Sequence, residues 1–328
     1  MHGSRTWAAV FFFLLTTFSV ASWSIEIQWY TPQVAEFDFS GDKLTQQWQQ
    51  LHIEDRYALP TAESIKQRFT SNKKIQQAYV ELAKQSDISA YYQNGEMNFA
   101  AMTAALLDTS RLLHSGKLEQ AYAAGNKLGH FGLYVASQAL YINTFFLEEN
   151  LQKRDASFKY IVDNISAAEE IEPNDLSFQF MHIYALGRYV ETKEFSMDML
   201  AYYNLMNSST KQLTKENHAH LGANLIRAAF WAQGSVKSPF LSRMRFGSTP
   251  ARSIEHFDKI LTEQPNTIIG HYTYADNLIK MGKNPDDQIK ELEKAVAIKP
   301  WDVNSALSSQ LAAKQLKSLQ SQRKIASK

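Results

Sequence analysis

The segment SIEHFDKILTEQPN, Ser253–Asn266, combines an amphipathic helix with a stop signal at its end. Phe257 and Ile260 are three residues apart, so their side chains fall on one face of a helix. Pro265 follows five residues after Ile260, and a proline ends a helix because it lacks a backbone N–H and clashes with the preceding turn. The segment is therefore predicted to pack through one face on the helix before it and then to turn.

The same kind of helix end occurs at three places in the chain. In each, one apolar residue stands eight positions before a proline and another stands five before it: Ile165, Ala168 and Pro173; Phe257, Ile260 and Pro265; Leu292, Ala295 and Pro300. The last two prolines are 35 residues apart, close to the roughly 34-residue period of a two-helix repeat, whereas the first lies 92 residues before the second. The spacing predicts stacked helix pairs with an irregular middle.

These residues resemble the tetratricopeptide repeat. Ser253, Phe257, Ile260 and Pro265 stand where the second helix of that repeat has a small residue, an aromatic residue, an apolar residue and proline. The next unit, 267–300, resembles a whole repeat: Ala275 takes the small position of the first helix, Gly282 the turn, and Ala295 and Pro300 the end of the second helix. The unit departs from the pattern by one extra loop residue and by Gln288, where alanine is usual.

A fainter resemblance concerns a longer stretch. The helix Ala223–Trp231, a basic insertion, and then Ala251 followed by His256 and Phe257 are similar to diverged tetratricopeptide proteins. These include the periplasmic T component of tripartite ATP-independent transporters and the regulator-of-microtubule-dynamics proteins. The resemblance implies a divergent helical-repeat fold and carries over no ligand.

Helical periodicity extends over most of the chain. Apolar residues recur at spacings of three and four from Asp42 onward, and glycine (13) and proline (8) are sparse. We predict an all-α fold of about 12 to 13 helices, a right-handed α-solenoid of antiparallel tetratricopeptide-like pairs. Residues 42–150 are predicted to form an N-terminal helical region, and residues 151–328 the repeat region. Gly129–Gln152 is predicted to be one long helix. Residues 22–41 are predicted to be extended and to be anchored by aromatic residues, namely Trp29, Tyr30, Phe37 and Phe39.

The first residues have the pattern of a cleavable signal peptide. Arg5 precedes an almost unbroken apolar run, Thr6–Val20, which ends at the small-residue exit Ser19-Val20-Ala21. The apolar run is about 15 residues, short of the roughly 20 that span a bilayer as a helix. We expect residues 1–21 to be removed, which gives a periplasmic or secreted protein without a transmembrane segment; an uncleaved anchor is the alternative. The chain has no cysteine, so it folds without disulfides.

Charge and motifs exclude several functions. The net charge is +1, from 34 basic and 33 acidic residues, so no overall field attracts nucleic acid. The sequence has no nucleophile elbow, zinc-protease motif or phosphate-binding glycine loop, and we predict no enzyme, no metal and no cofactor. His218 and His220 are two residues apart, so on a helix they diverge too far to share an ion.

The segment 234–250 is predicted to be a non-helical basic insertion. Arg243 and Arg245 alternate there with apolar residues that include Phe246, an arrangement that suits a carboxylate or phosphate on a ligand. The alternative is a loop that folds its phenylalanines into the core and exposes its cations.

A binding groove is predicted on the first helices of the repeats, because these helices line the concave face of a solenoid. Its candidate residues are Arg227, Trp231, Tyr272 and Tyr274. We therefore predict an exported scaffold that binds a protein or peptide partner. The alternative is an accessory component of a periplasmic transporter that binds a small organic ligand.

Overall fold

The computed structural model describes residues 25–193, 196, 199–216 and 220–326. It is all-α, with 74% helix among the described residues, which confirms the predicted all-α character. The described residues form sixteen α-helices, more than the 12 to 13 predicted. The predicted signal peptide, residues 1–21, and His218 lie outside the described residues.

The first half of the fold contains eight helices and a small hairpin. The helices are α1 (Lys43–Gln46), α2 (Trp48–Leu51), α3 (Ala62–Ser71), α4 (Lys73–Gln85), α5 (Phe99–His114), α6 (Leu118–Lys127), α7 (Leu133–Ile142) and α8 (Leu151–Ile171). The antiparallel hairpin of β1 (Tyr92–Gln93) and β2 (Glu96–Met97) turns at Asn94-Gly95, where both residues have positive φ.

The second half is a succession of helices. They are α9 (Leu176–Glu191), α10 (Leu200–Glu216), α11 (Leu221–Lys237), α12 (Pro239–Phe246), α13 (Pro250–Glu263), α14 (Ile268–Lys280), α15 (Pro285–Ala297) and α16 (Val303–Ala326). No described helix has the length and apolar character required to cross a bilayer.

Short polar residues start eight of these helices, because their side chains accept hydrogen bonds from backbone N–H groups that the first turn leaves unpaired. The capping side chains are Thr61, Asn72, Asn98, Asn150, Asp175, Thr249, Thr267 and Asn284. Helix boundaries are thus largely encoded in local sequence.

Neighbouring helices pack in pairs. The helix α13, which carries the segment Ser253–Asn266, packs mainly on α11, and α14 packs on α15. Ser253 is buried at the first crossing, where its hydroxyl donates to the Ala228 carbonyl oxygen at 2.9 Å. Phe257 stacks on Tyr274 of α14, with ring centroids 4.8 Å apart. These contacts explain the spacing of small and aromatic residues in α13.

The last helix closes the fold onto its first half. α16 packs on α14 and α15 and also touches α5. The largest cluster of buried side chains combines Leu44, Trp48 and Leu113 from the first half with Val303 and Leu307 from α16. One core therefore joins the two halves of the chain.

Residues 25–41 form neither helix nor strand and run across the helices. Asn143 holds this segment through both ends of its side-chain amide: Oδ1 accepts from the Tyr30 N–H at 3.0 Å and Nδ2 donates to the Gln28 carbonyl at 2.8 Å. Trp29 packs on Tyr122, and Phe39 is buried in the core.

The prediction that Gly129–Gln152 forms a single helix is wrong. A 3₁₀ turn at Gly129–Phe131 precedes α7, and a π-helical turn at Asn143–Leu147 follows it. Asn150 then starts α8 by accepting from the N–H groups of Gln152 and Lys153, so the chain changes direction within the predicted helix.

The segment 234–250 is largely helical, contrary to the prediction. α11 continues to Lys237, and α12 begins with Pro239 in its first turn and ends before Gly247, which has φ +66°. Proline just inside a helix start and glycine just past its end are favoured positions, so the sequence contains the signal for α12.

Candidate ligand-binding site

A cavity of about 1000 Å³, counted to its opening, lies among α9, α10, α11, α12 and α14. We call it the aromatic cavity. Most of its walls are aromatic and aliphatic side chains, namely Phe180, Tyr184, Tyr203, Met206, Leu225, Ile226, Phe230, Phe246, Ile269 and Tyr272. Concave sites with apolar walls and few polar groups are typical binding sites for small organic molecules.

The aromatic walls are held in place by ring contacts. The Tyr184 ring stacks on Phe180 at 5.2 Å and on Tyr141 at 4.1 Å, and Phe246 of α12 meets the Phe230 ring of α11 edge-on at 5.2 Å. Such contacts stabilise each ring pair by roughly 0.5–1.5 kcal/mol beyond its burial, so the cavity walls are preformed.

Small residues create the free space. Gly187 lies inside α9, where glycine costs about 0.5–1 kcal/mol relative to alanine. A Cβ atom there would meet only the Met206 methyl group, at 3.5 Å, so packing does not require the glycine. Ala229 of α11 also lines the cavity. Gly187 and Ala229 have no large side chain that would occupy the cavity.

Charged groups at one side of the aromatic cavity neutralise each other. Arg188 donates to Glu191 at 2.8 Å and lies over the Phe145 ring at 4.0 Å, and Lys280 binds both Glu191 and Asp276. Burial would raise the pKa of Glu191, but the charges of Arg188 and Lys280 lower it to about 2. This side of the cavity therefore carries paired charges.

Lys237, at the end of α11, also lies at the cavity wall. Its ammonium group donates to the backbone carbonyls of Glu191 and Lys193, the latter at 3.0 Å. Burial lowers the pKa of Lys237. The lysine thus ties the end of α11 to the end of α9.

Glu54 forms the inner wall. It follows α2, and its carbonyl oxygen accepts from the Gly222 N–H at 2.9 Å, which fixes the turn against the start of α11. Burial and the negative charges of Asp55 and Asp302 raise the pKa of the Glu54 carboxyl to about 8. The carboxyl is therefore mainly protonated at neutral pH and can donate a hydrogen bond.

A second cavity, which we call the inner chamber, lies behind Glu54. It measures about 480 Å³ counted to its openings, and Glu54, Phe180 and Tyr184 line both cavities. Its other walls are Leu51, Asp55, Leu113, His114, Gln138, Tyr141, Ile142, Met181, Asp302 and Asn304. The inner chamber is more polar than the aromatic cavity and has no lysine or arginine among its described lining residues.

Two buried aspartates at the inner chamber each bind a histidine. Asp55 accepts from Nδ1 of His52 at 3.0 Å and from the Tyr134 hydroxyl and the Gln138 amide at 2.6 Å each. Burial would raise the pKa of Asp55, but His52 and Tyr134 hold it well below its usual range. Asp55 is therefore ionised.

The second pair joins α5 to α16. Asp302 accepts from Nδ1 of His114 at 3.0 Å and from the Ser305 N–H at 2.8 Å. Burial lowers the pKa of His114 despite the aspartate, so the ring is neutral at neutral pH. The His114 and His52 rings meet edge-on at 5.1 Å.

The structure separates the residues proposed from sequence. Phe246 and Tyr272 line the aromatic cavity. Trp231 is buried beneath two guanidinium groups, Arg252 at 3.9 Å and Arg227 at 5.0 Å from its ring centroid. Arg227 lies at a different opening, between α10 and α13, where it donates to Thr214 at 3.0 Å.

The remaining three lie elsewhere. Arg243 and Arg245 are exposed on α12, and Arg245 donates to the Asn204 side chain at 3.0 Å. Tyr274 packs between α13 and α14 and donates to Asp258 at 2.9 Å. The seven candidates therefore do not form one groove, and the arginines of the insertion do not line the aromatic cavity.

Several lining residues were not predicted from the sequence. Arg188 stands in the otherwise aromatic helix LSFQFMHIYALGRYVE, and a lone cation in such a helix is a signal of a partnered buried charge. Glu54 lies in a short acidic turn after α2, and no feature of the local sequence marks it as a cavity residue.

Among the described residues, no group of three or more histidine, aspartate or glutamate side chains is arranged to hold a metal ion. His220, the described member of the histidine pair, caps α11 through Nδ1, which accepts from the Ala223 N–H at 3.3 Å.

Comparison of the chain with protein families, with curated proteins and with solved structures found no match.

Proposed function

We propose that this protein is an exported helical-repeat protein that binds a small organic molecule in the aromatic cavity. The observation that carries the proposal is the combination of a preformed aromatic wall with glycine and alanine at the positions that leave space. Of the two functions expected from sequence, ligand binding is the better supported, because the walls of the aromatic cavity are mainly apolar.

The repeat character of the fold belongs to the same proposal. The pairs α11–α13 and α14–α15 support a tetratricopeptide-type, right-handed arrangement, in which α12 is an insertion within the first pair. Ser253, Phe257, Ala275 and Ala295 are all fully buried, as the small and aromatic positions of that repeat require.

Native mass spectrometry of the protein, purified gently from its own cells, tests ligand binding. We expect a bound species on the order of a few hundred daltons. The variant Ala229→Phe fills the aromatic cavity and should lose that species while retaining its helical circular dichroism spectrum. Ala313→Phe, on an exposed position of α16, is the matched control and should keep the species. A wild-type protein that is always empty, or an adduct retained in Ala229→Phe, would refute binding in this cavity.

Export is tested separately. We expect the protein isolated from its cells to lack residues 1–21 and to be released with the periplasmic or secreted fraction. Intact mass measurement of each fraction decides this, because a chain that retains Met1 and stays in the cytoplasm contradicts export.

A second function, docking of a protein partner, is supported by α12. Phe240 and Met244 are 76% and 70% exposed, and Arg243 and Arg245 lie beside them. Exposed apolar residues flanked by arginines are enriched at protein interfaces. A photo-crosslinker at Met244 should capture one defined partner in cells, and Phe240→Ser should reduce capture; equal labelling of many proteins would refute docking at α12.

A further inference from the structure

The inner chamber contains buried hydrogen-bond acceptors that lack donors. His114 is only 4% exposed, and its Nε2 atom has no hydrogen-bond partner in the described structure. Because Nδ1 faces the carboxylate of Asp302, Nδ1 carries the proton of the neutral ring and Nε2 is left as an acceptor.

Amide oxygens add to this set of acceptors. The amide nitrogen of Gln138 donates to Asp55, so its oxygen, which is buried and unpartnered among the described residues, is an acceptor. The side-chain oxygen of Asn304, at the start of α16, is also buried and has no hydrogen-bond partner among the described residues. Buried polar atoms are nearly always satisfied, so a group that donates several hydrogen bonds belongs in the chamber.

The charge of the inner chamber favours a cation. Asp55 and Asp302 are each held by several donors, and neutral His114 does not cancel the charge of Asp302. Asp55 and Asp302 repel the ionised form of Glu54, so the electrostatic potential at the Glu54 carboxyl is negative. The chamber has no described lysine or arginine at its walls to balance it.

We propose that the inner chamber binds the protonated amino group of an amphipathic amine whose apolar body occupies the aromatic cavity. An ammonium group donates three hydrogen bonds and accepts none, which matches the set of free acceptors. Glu54, Phe180 and Tyr184 line both cavities, so the amino group of a ligand in the aromatic cavity would enter the chamber at the boundary that these side chains form. This inference rests on the proposed function and adds the chemical class of the ligand.

Glu54 is the residue that responds to the amine. An ammonium group beside it offsets the repulsion from Asp55 and Asp302, so the carboxyl gives its proton to solvent and becomes an acceptor. The titratable groups that line the inner chamber together with Glu54 are Asp55, His114, Tyr141, Tyr184 and Asp302. The charged groups that line the aromatic cavity together with Glu54 are Arg188, Glu191, Lys237 and Asp276. Binding of the amine at pH 7 therefore releases a proton, and calorimetry in buffers of different ionisation enthalpy detects it.

The test compares straight-chain primary amines of four to ten carbons with the alcohols of equal length, by isothermal titration calorimetry on the mature full-length chain. We expect the amines to bind at least ~10-fold more tightly than the alcohols, because charge-assisted hydrogen bonds are stronger than neutral ones. In Glu54→Gln the preference for amines over alcohols should fall and proton release should vanish. Glu255→Gln, an exposed carboxyl on α13, is the control and should behave as wild type.

The outcomes separate the two proposals. Alcohols that bind as tightly as amines, with Ala229→Phe blocking both, would show that the chamber holds only water and would overturn the inference while retaining the aromatic cavity as a binding site. An amine preference that survives in Glu54→Gln would also overturn it. If neither series binds and the native protein is empty, the proposed function fails with it.

Discussion

Replacing Glu54 by glutamine should stabilise the protein at alkaline pH. Glutamine has the shape of the protonated carboxyl but cannot ionise, so the substitution removes a titration and keeps the packing. The pKa of Glu54 is about 8 in the folded protein and about 4.5 in a solvated chain. Because folding raises the pKa, the folded state resists ionisation of Glu54. The contribution of Glu54 to wild-type stability is therefore fully present below pH 4.5 and is lost as the pH rises toward 8.

The magnitude follows from the same two pKa values. Their difference corresponds to about 5 kcal/mol above pH 8, and to about 3 kcal/mol at pH 7. Water that enters the two cavities beside Glu54 would reduce both figures, so a gain of several kcal/mol is expected at pH 9 and less than about 1 kcal/mol at pH 5.

Urea unfolding followed by circular dichroism measures the effect at pH 5, 7 and 9, in wild type, Glu54→Gln and the control Glu255→Gln. The Glu54→Gln curve should diverge from wild type with rising pH, whereas the control stays parallel. Parallel curves for all three proteins would refute the burial and charge repulsion assigned to Glu54.

Three further substitutions test the helix packing and one ion-pair cluster. Gly132→Ala should destabilise the protein by at least ~2 kcal/mol, since a Cβ there would lie 2.1 Å from the Gly125 carbonyl oxygen, while Gly187→Ala should change stability by less than about 1 kcal/mol. Thermal unfolding compares the two, and equal effects would contradict the close approach of α6 and α7. Glu172→Gln should cost about 2–3 kcal/mol at pH 7, because Arg68 and His130 outweigh burial and hold the pKa of Glu172 at about 2. That wild-type advantage is present above pH 4.5 and should shrink between pH 4.5 and 2; a difference that does not depend on pH would refute the ion pair.

The parts of the fold that sequence predicts well are those encoded locally. α13 lies between Thr249, which caps it, and Pro265, and both signals are within one turn of the helix ends. The break after α7 is different, because Asn143 bonds the backbone of Gln28 and Tyr30, more than a hundred residues earlier. No local pattern reveals such a contact.

The candidate site shows the same division. Tyr272 was predicted from its place on the first helix of a repeat, and Phe246 from the arginines beside it in the segment 234–250; both line the aromatic cavity. Glu54 comes from a turn more than a hundred residues before α9 and α11, and its altered pKa depends on two carboxylates, one of which is Asp302. Sequence periodicity cannot bring these residues together, so the inner chamber became visible only in three dimensions.

The packing of α16 against α5 changes how the protein is expected to unfold. In an open repeat array each unit touches only its neighbours, and its ends can fray independently. Here His114 binds Asp302 across 188 residues of chain, and the Gln310 amide donates to the Gln33 carbonyl across 277. Fraying of the last helix therefore exposes side chains of the first half as well, so opening of either terminus is energetically coupled to the other. A protein linked end to end in this way should exchange its core amide hydrogens through one cooperative opening, rather than through a gradient of stability that declines toward the ends.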